Sequence, residues 1–324
     1  MTIPIRVGSI TIGGGYPIAI QSMTNTDTKD VGATLRQIAC LRAAGCEAIR
    51  LALYDLECVD SLRQIRKETG DYPLIADVHY DYRIALGAIR AGIDKVRINP
   101  GNIGEGWKVK EIAIAAEERG VPIRVGANSG SLAKNFEHLP VVEALVASAL
   151  REVKLLEDAG MSRIVIAVKS SNVTEMVEAT RRVSSSVSYP LHLGVTEAGP
   201  LSISLVKSTL GIGLLLSEGI GDTIRYSISG DPVKEVDAAK TLLKAAGLLS
   251  GPDIISCPTC ARTCIDVEEY ALKVTELTRA CVKPVRIAVS YTHLRAHETV
   301  LDLVCRLLLE KKKHNTKHQK NKPL

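Results

Sequence analysis

The chain has 324 residues, of which 46% are hydrophobic, 24% charged and 3% aromatic, a composition that belongs to globular proteins. The formal net charge of +5 lies wholly in residues 290–324, which hold eight Lys or Arg and three Asp or Glu. The rest balances 33 basic against 33 acidic residues, which excludes a global field that would draw a nucleic acid.

With so few aromatics, the core must be built from Ile, Leu, Val and Ala. That composition suits buried parallel strands covered by helices. The first ten residues lack the apolar centre of a leader peptide, and no apolar run reaches membrane-spanning length. The expectation is a cytoplasmic chain whose eight cysteines are thiols or metal ligands rather than disulfides.

Residues 4–12 read as a short hairpin arm ending in Gly13-Gly14-Gly15. Strand-like and helix-like segments then alternate. The first unit pairs a strand over 18–24 with a helix over 31–44, and the second pairs 48–53 with 55–68. The third pairs 73–79 with 82–91, the fourth 95–99 with 108–119, and the fifth 122–128 with 141–159. The sixth pairs 163–169 with 173–183, the seventh 190–197 with 201–217, and the eighth 223–227 with 232–246. Several helices stop at a glycine, as at Gly45, Gly92 and Gly160, and the eighth opens with Asp231-Pro232. Eight such units predict an α/β fold, a TIM-type (β/α)8 barrel over residues 1–250. An open doubly wound sheet is the runner-up. Residues 251–289 change character: Cys257-Pro-Thr-Cys260, a helix over 268–281 and a strand over 284–289 predict the start of a smaller α/β domain.

In such a barrel the active site lies at the C-terminal ends of the strands. The polar residues there are Arg50, then Asp77 and His79, then Arg97 and Asn99, then Arg124 and Asn128. Lys169 and Ser171, Glu197, and Arg225 and Ser227 follow. Members of the pairs Asp77/His79, Arg97/Asn99, Lys169/Ser171 and Arg225/Ser227 stand two apart and face one side of their strand. One mouth then gathers Arg50, Arg97, Arg124, Lys169 and Arg225. A lone Arg at a strand end is more often a surface residue. Five cations on five strands need an anion, and guanidinium forks and ammonium charges suit phosphate oxygens. The expected ligand carries more than one phosphate. Glu197 would be an ionised carboxylate among these cations, fit for positioning or proton transfer or only for a salt bridge. His79 serves the site or merely neighbours a helix cap.

Cys257-Pro-Thr-Cys260 alone is ambiguous between a redox pair, half a zinc site and half an iron–sulfur site. Cys264 and Cys281 could complete a set. Cys40, Cys46 and Cys58 lie in or beside the first two helices and are expected to be small buried residues.

Several stretches together resemble the hydroxymethylbutenyl diphosphate synthase family of the non-mevalonate isoprenoid pathway. They are Gln21-Ser-Met-Thr-Asn-Thr, Ala76-Asp-Val-His, Asp81-Tyr-Arg-Ile-Ala-Leu, Arg97-Ile-Asn-Pro-Gly-Asn-Ile-Gly and Arg124-Val-Gly-Ala-Asn-Ser-Gly-Ser-Leu. Leu191-His-Leu-Gly-Val-Thr-Glu-Ala-Gly, Leu214-Leu-Leu-Ser-Glu-Gly-Ile-Gly-Asp-Thr-Ile-Arg and Ser256-Cys-Pro-Thr-Cys-Ala-Arg-Thr complete the set. They run in family order over about residues 4–289. The resemblance implies an oxidoreductase that opens the ring of 2-C-methyl-D-erythritol 2,4-cyclodiphosphate and removes a hydroxyl with two electrons. Its product is 4-hydroxy-3-methylbut-2-enyl diphosphate. The resemblance further implies a 4Fe-4S cluster in the C-terminal domain, flavodoxin or ferredoxin as electron donor, and a homodimer in which the barrel of one subunit faces the cluster domain of the other. Carried over by motif, Arg50, Arg97, Arg124 and Lys169 would hold the diphosphate. Asp77, His79, Asn99, Asn128, Ser171, Arg225 and Ser227 would line the mouth, and Glu197 would be the acid closest to the chemistry. Cys257 and Cys260 match two of the family's four cluster ligands.

After Val289 the chain departs from the family, which continues with a third Cys and a Gly-Pro-Gly-Glu turn supplying the fourth ligand. Residues 290–324 instead read as a non-native tail, a translated sequencing adaptor joined to a truncated gene; a natural basic tail is the rival. The expectation is a folded barrel and an incomplete iron–sulfur domain over 251–289, with a defective cluster site unless Cys264 or Cys281 substitutes. Cys305 lies in the suspect tail. Two other functions compete: a non-redox barrel enzyme using Lys169 as a Schiff base, and a diphosphate-binding barrel without catalysis.

Overall fold

The chain opens with an antiparallel hairpin, β1 (Ile5–Val7) and β2 (Ile10–Ile12). Eight strands then alternate with helices. They are β3 (Ala19–Met23), α1 (Val31–Ala44), β4 (Ala48–Ala52), α2 (Leu56–Thr69), β5 (Leu74–Asp77), α3 (Tyr82–Arg90) and β6 (Lys95–Arg97). After them come α4 (Pro100–Ile103), α5 (Gly106–Glu118), β7 (Ile123–Val125), α6 (Val141–Asp158), β8 (Ile164–Ile166) and α7 (Val173–Ser186). The series ends with β9 (His192–Leu193), α8 (Leu201–Ser217), β10 (Thr223–Ile224) and α9 (Val233–Ala245). The coordinates are a computed structural model and describe residues 1–131, 136, 138–261, 263, 265–279 and 281–289. Contacts divide the chain after Leu248 into two units.

All eight strands are parallel, in the order β8-β7-β6-β5-β4-β3-β10-β9. The ring closes between its two ends. Ile166 bridges Leu191, and its N–H donates to the Pro190 carbonyl at 2.9 Å. This is the predicted (β/α)8 barrel. The strands are short runs of Ile, Val, Leu and Ala, buried on both faces, and the helices cover them with the same aliphatic residues. Helix starts are fixed locally. The side chains of Asp30, Asp55, Asp81 and Asn172 accept from the N–H groups of Ala33, Cys58, Arg83 and Thr174. Each such cap contributes about 1 kcal/mol.

One end of the barrel is plugged. Ile5, Val7 and Ile12 of the hairpin pack with Ala19 and Val165, near the N-terminal side of the ring. The other end, where the strands finish, is left to polar side chains. Glycine matters at two positions there. Gly126, at φ +143°, has the Ala167 carbonyl oxygen 1.8 Å from where a Cβ would lie. At Gly194 a Cβ would stand 3.0 Å from Lys169 Nζ, so the bare backbone leaves room for that ammonium.

In the second unit, β11 (Asp253–Ser256) pairs in parallel with β12 (Arg286–Val289), with α10 (Val267–Leu277) between them in sequence. Among the described residues no helix is long and apolar enough to cross a membrane. Residues 290–324, and with them the expected non-native tail and Cys305, lie outside the described residues, as does Cys264.

Some expectations shift. The seventh strand, expected over 190–197, keeps ladder pairing only at His192–Leu193 beyond the Leu191 bridge. Its end turns away through Glu197, whose φ of +50° is the left-handed region. The strand expected over 95–99 ends at Arg97, because Pro100 opens the short helix α4, in which Asn102 and Ile103 N–H groups donate to the Asn99 carbonyl. Cys46 and Cys58 are buried as expected, but Cys40 is exposed. Helix α1 buries a stripe of Thr34, Ile38, Leu41 and Ala44, and Cys40 falls off it.

Gly126→Ala is expected to cost about 2 to 3 kcal/mol, because a methyl cannot fit against the Ala167 backbone. Urea unfolding measures this; a change within about 0.5 kcal/mol would contradict the packing described.

Candidate active site

Register brings the strand-end residues to one level. Asp77 on β5 is the Cα partner of Arg97 on β6, and Arg97 that of Arg124 on β7. Partners in a parallel ladder face the same side, so all three enter the lumen. Met23 on β3 pairs with Arg50 on β4, and Asn128 bridges Lys169 after β7 and β8.

Asp77 is buried and holds two arginines. Arg97 Nη1 lies 3.0 Å from its Oδ1, and Arg50 Nε 3.5 Å from its Oδ2. Burial alone would raise its pKa. Arg50 and then Arg97 outweigh burial and keep the carboxyl well below its ordinary value. His79 is exposed, with Nε2 2.7 Å from Arg97 Nη1. A guanidinium only donates, so the ring nitrogen accepts.

Arg225 has its own carboxylate. Glu235, buried in the first turn of α9, receives Arg225 Nε and Nη2, both at 3.1 Å. It also accepts from Ser22 Oγ at 2.8 Å and the Ile228 N–H at 3.1 Å. Four donors fix this carboxylate, and through it the guanidinium plane.

Arg124 and Lys169 have no such partner. Arg124 is 3% exposed, and its Nη1 has no hydrogen-bond partner among the described residues. Burial disfavours its cation, and Arg50 and Arg97 add to this. Lys169, partly exposed, is held well below its ordinary pKa by burial and then by Arg124, Arg50, Arg225 and Arg97. An arginine does not deprotonate in a protein, so what would relieve the unfavourable field is an anion.

The remaining predicted residues sit around this centre. Asn99 is buried two residues beyond the end of β6. Asn128 Oδ1 accepts the Gly130 N–H at 3.1 Å. Glu197 is exposed beside them: a Cβ added at Gly130 would lie 3.9 Å from its Oε1 and 3.8 Å from Asn128 Oδ1. Ser227 offers its carbonyl to Ser204 Oγ at 3.0 Å. Ser171 is exposed and not drawn in; buried Ser170 beside it donates to Glu175 at 2.7 Å.

Sequence reasoning missed a polar layer in the lumen. Lys95 is 1% exposed and its Nζ lies 3.5 Å from Gln21 Oε1. Burial, then Arg124 and Arg50, bring its pKa down to about 7. His192 is buried with Nδ1 2.7 Å from Thr223 Oγ1, and burial, then Arg124, hold it well below its ordinary pKa. The same two-residue spacing that paired Arg97 with Asn99 also pairs Lys95 with Arg97, and that was the available signal.

In the second unit, Cys257 follows β11 directly, and its N–H donates to the Val289 carbonyl at 2.9 Å. Cys260 ends the same loop, with its N–H donating to Thr263 Oγ1 at 2.9 Å. Among the described residues no group of three or more His, Cys, Asp or Glu is placed to hold a metal ion.

Residues 2–240 match the GcpE TIM-barrel domain family. The chain belongs to that family. Curated relatives agree. The chain is 50% identical over 293 residues to the 4-hydroxy-3-methylbut-2-en-1-yl diphosphate synthase (flavodoxin) of Caldanaerobacter subterraneus subsp. tengcongensis, covering 89% of this chain and 82% of that one. It is 50% identical over 289 residues to the enzyme of the same name from Symbiobacterium thermophilum, covering 88% and 78%. Among solved structures, the type I 3-dehydroquinate dehydratase of Clostridium difficile aligns with a TM-score of 0.57 at 15% identity, over 76% of this chain and 98% of that one. The dihydropteroate synthase of Yersinia pestis aligns with 0.56 at 13%, over 76% and 100%. At such identities these two likenesses speak for the barrel fold alone.

Lys95→Met tests the buried lumen. Between pH about 7 and 10.5 the folded chain binds fewer protons at Lys95 than the unfolded chain, so this residue's contribution to stability rises with pH there. Below about 7 the ammonium is buried at full cost. The variant is expected to be more stable by about 1 to 3 kcal/mol at pH 6, with the advantage shrinking toward pH 10. Thermal unfolding across pH measures this; a difference that does not change with pH would contradict the assignment.

Proposed function

We propose that the barrel mouth binds 2-C-methyl-D-erythritol 2,4-cyclodiphosphate by its diphosphate, for reductive ring opening and dehydroxylation to 4-hydroxy-3-methylbut-2-enyl diphosphate. The observation that carries this is the pair of uncompensated cations, Arg124 and Lys169, within a ring whose other arginines already have carboxylates. A diphosphate supplies the charge that Asp77 and Glu235 leave unmatched. Family membership makes the enzyme an oxidoreductase of isoprenoid biosynthesis.

Each residue's part follows from its place. Arg124 and Lys169 bind the phosphate oxygens directly. Arg50 and Arg97, held by Asp77, present their remaining donors to the same group. Arg225 is aimed by Glu235, and His79 closes the outer side against Arg97. Asn99, Asn128 and Ser227 line the rim. Glu197 stands exposed beside Asn128, where a carboxylate can pass a proton to the hydroxyl leaving as water.

The electrons belong to a 4Fe-4S cluster, which takes four ligands, mostly thiolates. Cys257 and Cys260 are the two that this reading assigns. The described residues do not by themselves fit the whole cluster. The donor in this reading is flavodoxin, named for the curated relatives, and the assembly is a homodimer.

Calorimetric titration of the full chain with inorganic pyrophosphate tests the mouth. Arg124→Met and Lys169→Met are each expected to weaken binding about tenfold or more, the loss of a charge-assisted contact. Unchanged affinity in both variants would move the diphosphate elsewhere.

A further inference from the structure

Met23 ends β3 inside the Gln21-Ser-Met-Thr-Asn-Thr stretch, and the reaction above gives it no role. Its thioether sulfur receives Arg50 Nε at 3.1 Å and Arg50 Nη2 at 3.0 Å, and Arg225 Nη1 lies 3.8 Å away. The side chain is partly buried at the mouth. Of the other methionines, Met161 and Met176 are buried in the aliphatic core, and Met1 is the exposed first residue. Met23 is therefore the methionine placed both within reach of solvent and against two guanidinium groups.

A thioether is a weak acceptor. A sulfoxide oxygen is a strong one. Glu235 holds Arg225 by Nε and Nη2 and leaves Nη1 facing Met23, and Arg50 Nε lies 3.5 Å from Asp77, so neither guanidinium swings away without leaving a carboxylate. We propose that Met23 is a redox-modification site: a peroxide converts it to the sulfoxide, whose oxygen takes donors of Arg50 and Arg225 and competes with a bound diphosphate. The competition rests on the diphosphate reading of the mouth; the modification itself does not.

The step balances with hydrogen peroxide as oxidant. A sulfur lone pair attacks one peroxide oxygen, the S–O bond forms and the O–O bond breaks. The departing hydroxide takes the proton left on the new oxygen and leaves as water. Sulfur gives up two electrons and the peroxide gains them. The neighbouring guanidinium groups stabilise the charge that grows on the departing oxygen. Reduction by a methionine sulfoxide reductase reverses the change.

The test treats the full chain with hydrogen peroxide, maps the oxidised peptides by mass, and titrates inorganic pyrophosphate before and after. Met23 is expected to gain one oxygen, pyrophosphate to protect it, and affinity to fall about tenfold, with recovery after reductase treatment. Met23→Leu removes the thioether, so its affinity is expected to be the same before and after peroxide. Oxidation of Met1 with Met23 intact would overturn the proposal. So would oxidised Met23 with unchanged affinity, or an equal loss in Met23→Leu. If the untreated chain fails to bind pyrophosphate, the diphosphate reading falls and the competition with it, while the mass map still decides the modification.

Discussion

Positive charge gathered where it is poorly solvated is the constraint on which this barrel turns. Five cations enter one lumen at separate strand ends, Lys95 joins them from the start of β6, and two buried carboxylates answer them. Asp77 and Glu235 do not neutralise the mouth; they orient three arginines and leave Arg124 and Lys169 exposed to one another's field. The fold bears this because the aliphatic shell between strands and helices stabilises it independently. Charge is concentrated at one end, and the hairpin plugs the other.

That division explains what was legible. Eight units, their order and most helix limits followed from aliphatic periodicity and from capping residues such as Asp55 and Asn172, which act within a few residues of themselves. The cations at the strand ends were also legible, since strand parity sends Arg97, Arg124 and their neighbours to one face. What closed the electrostatics was not. Glu235 lies ten residues beyond Arg225, on the helix after its strand, and reads as an ordinary first-turn acid. Only the fold of the β10–α9 loop turns it back onto the guanidinium. Lys95 read only as the start of a strand, although its two-residue spacing to Arg97 put it on the same face.

Cys40 makes the same point from the other side. Free cysteines are usually buried, as Cys46 after α1 and Cys58 in α2 are, but in α1 one helix position decides whether Cys40 joins the core stripe. The cysteines of the second unit are a matter of ligand number. Cys257 follows β11 and Cys260 ends the same loop, and a four-iron cluster asks for more than the described residues supply. In the proposed reading the barrel and the loop of Cys257 and Cys260 carry separate halves of the chemistry: the first recognises charge, the second offers thiols.

The most direct measurement is a crystal structure of the full chain grown with inorganic pyrophosphate. The account predicts phosphate oxygens at about 3 Å from both Arg124 Nη1 and Lys169 Nζ, with the Arg225–Glu235 and Arg97–Asp77 pairs kept. Pyrophosphate bound at the hairpin end of the barrel, or at the mouth with Arg124 and Lys169 turned from it, would contradict the account.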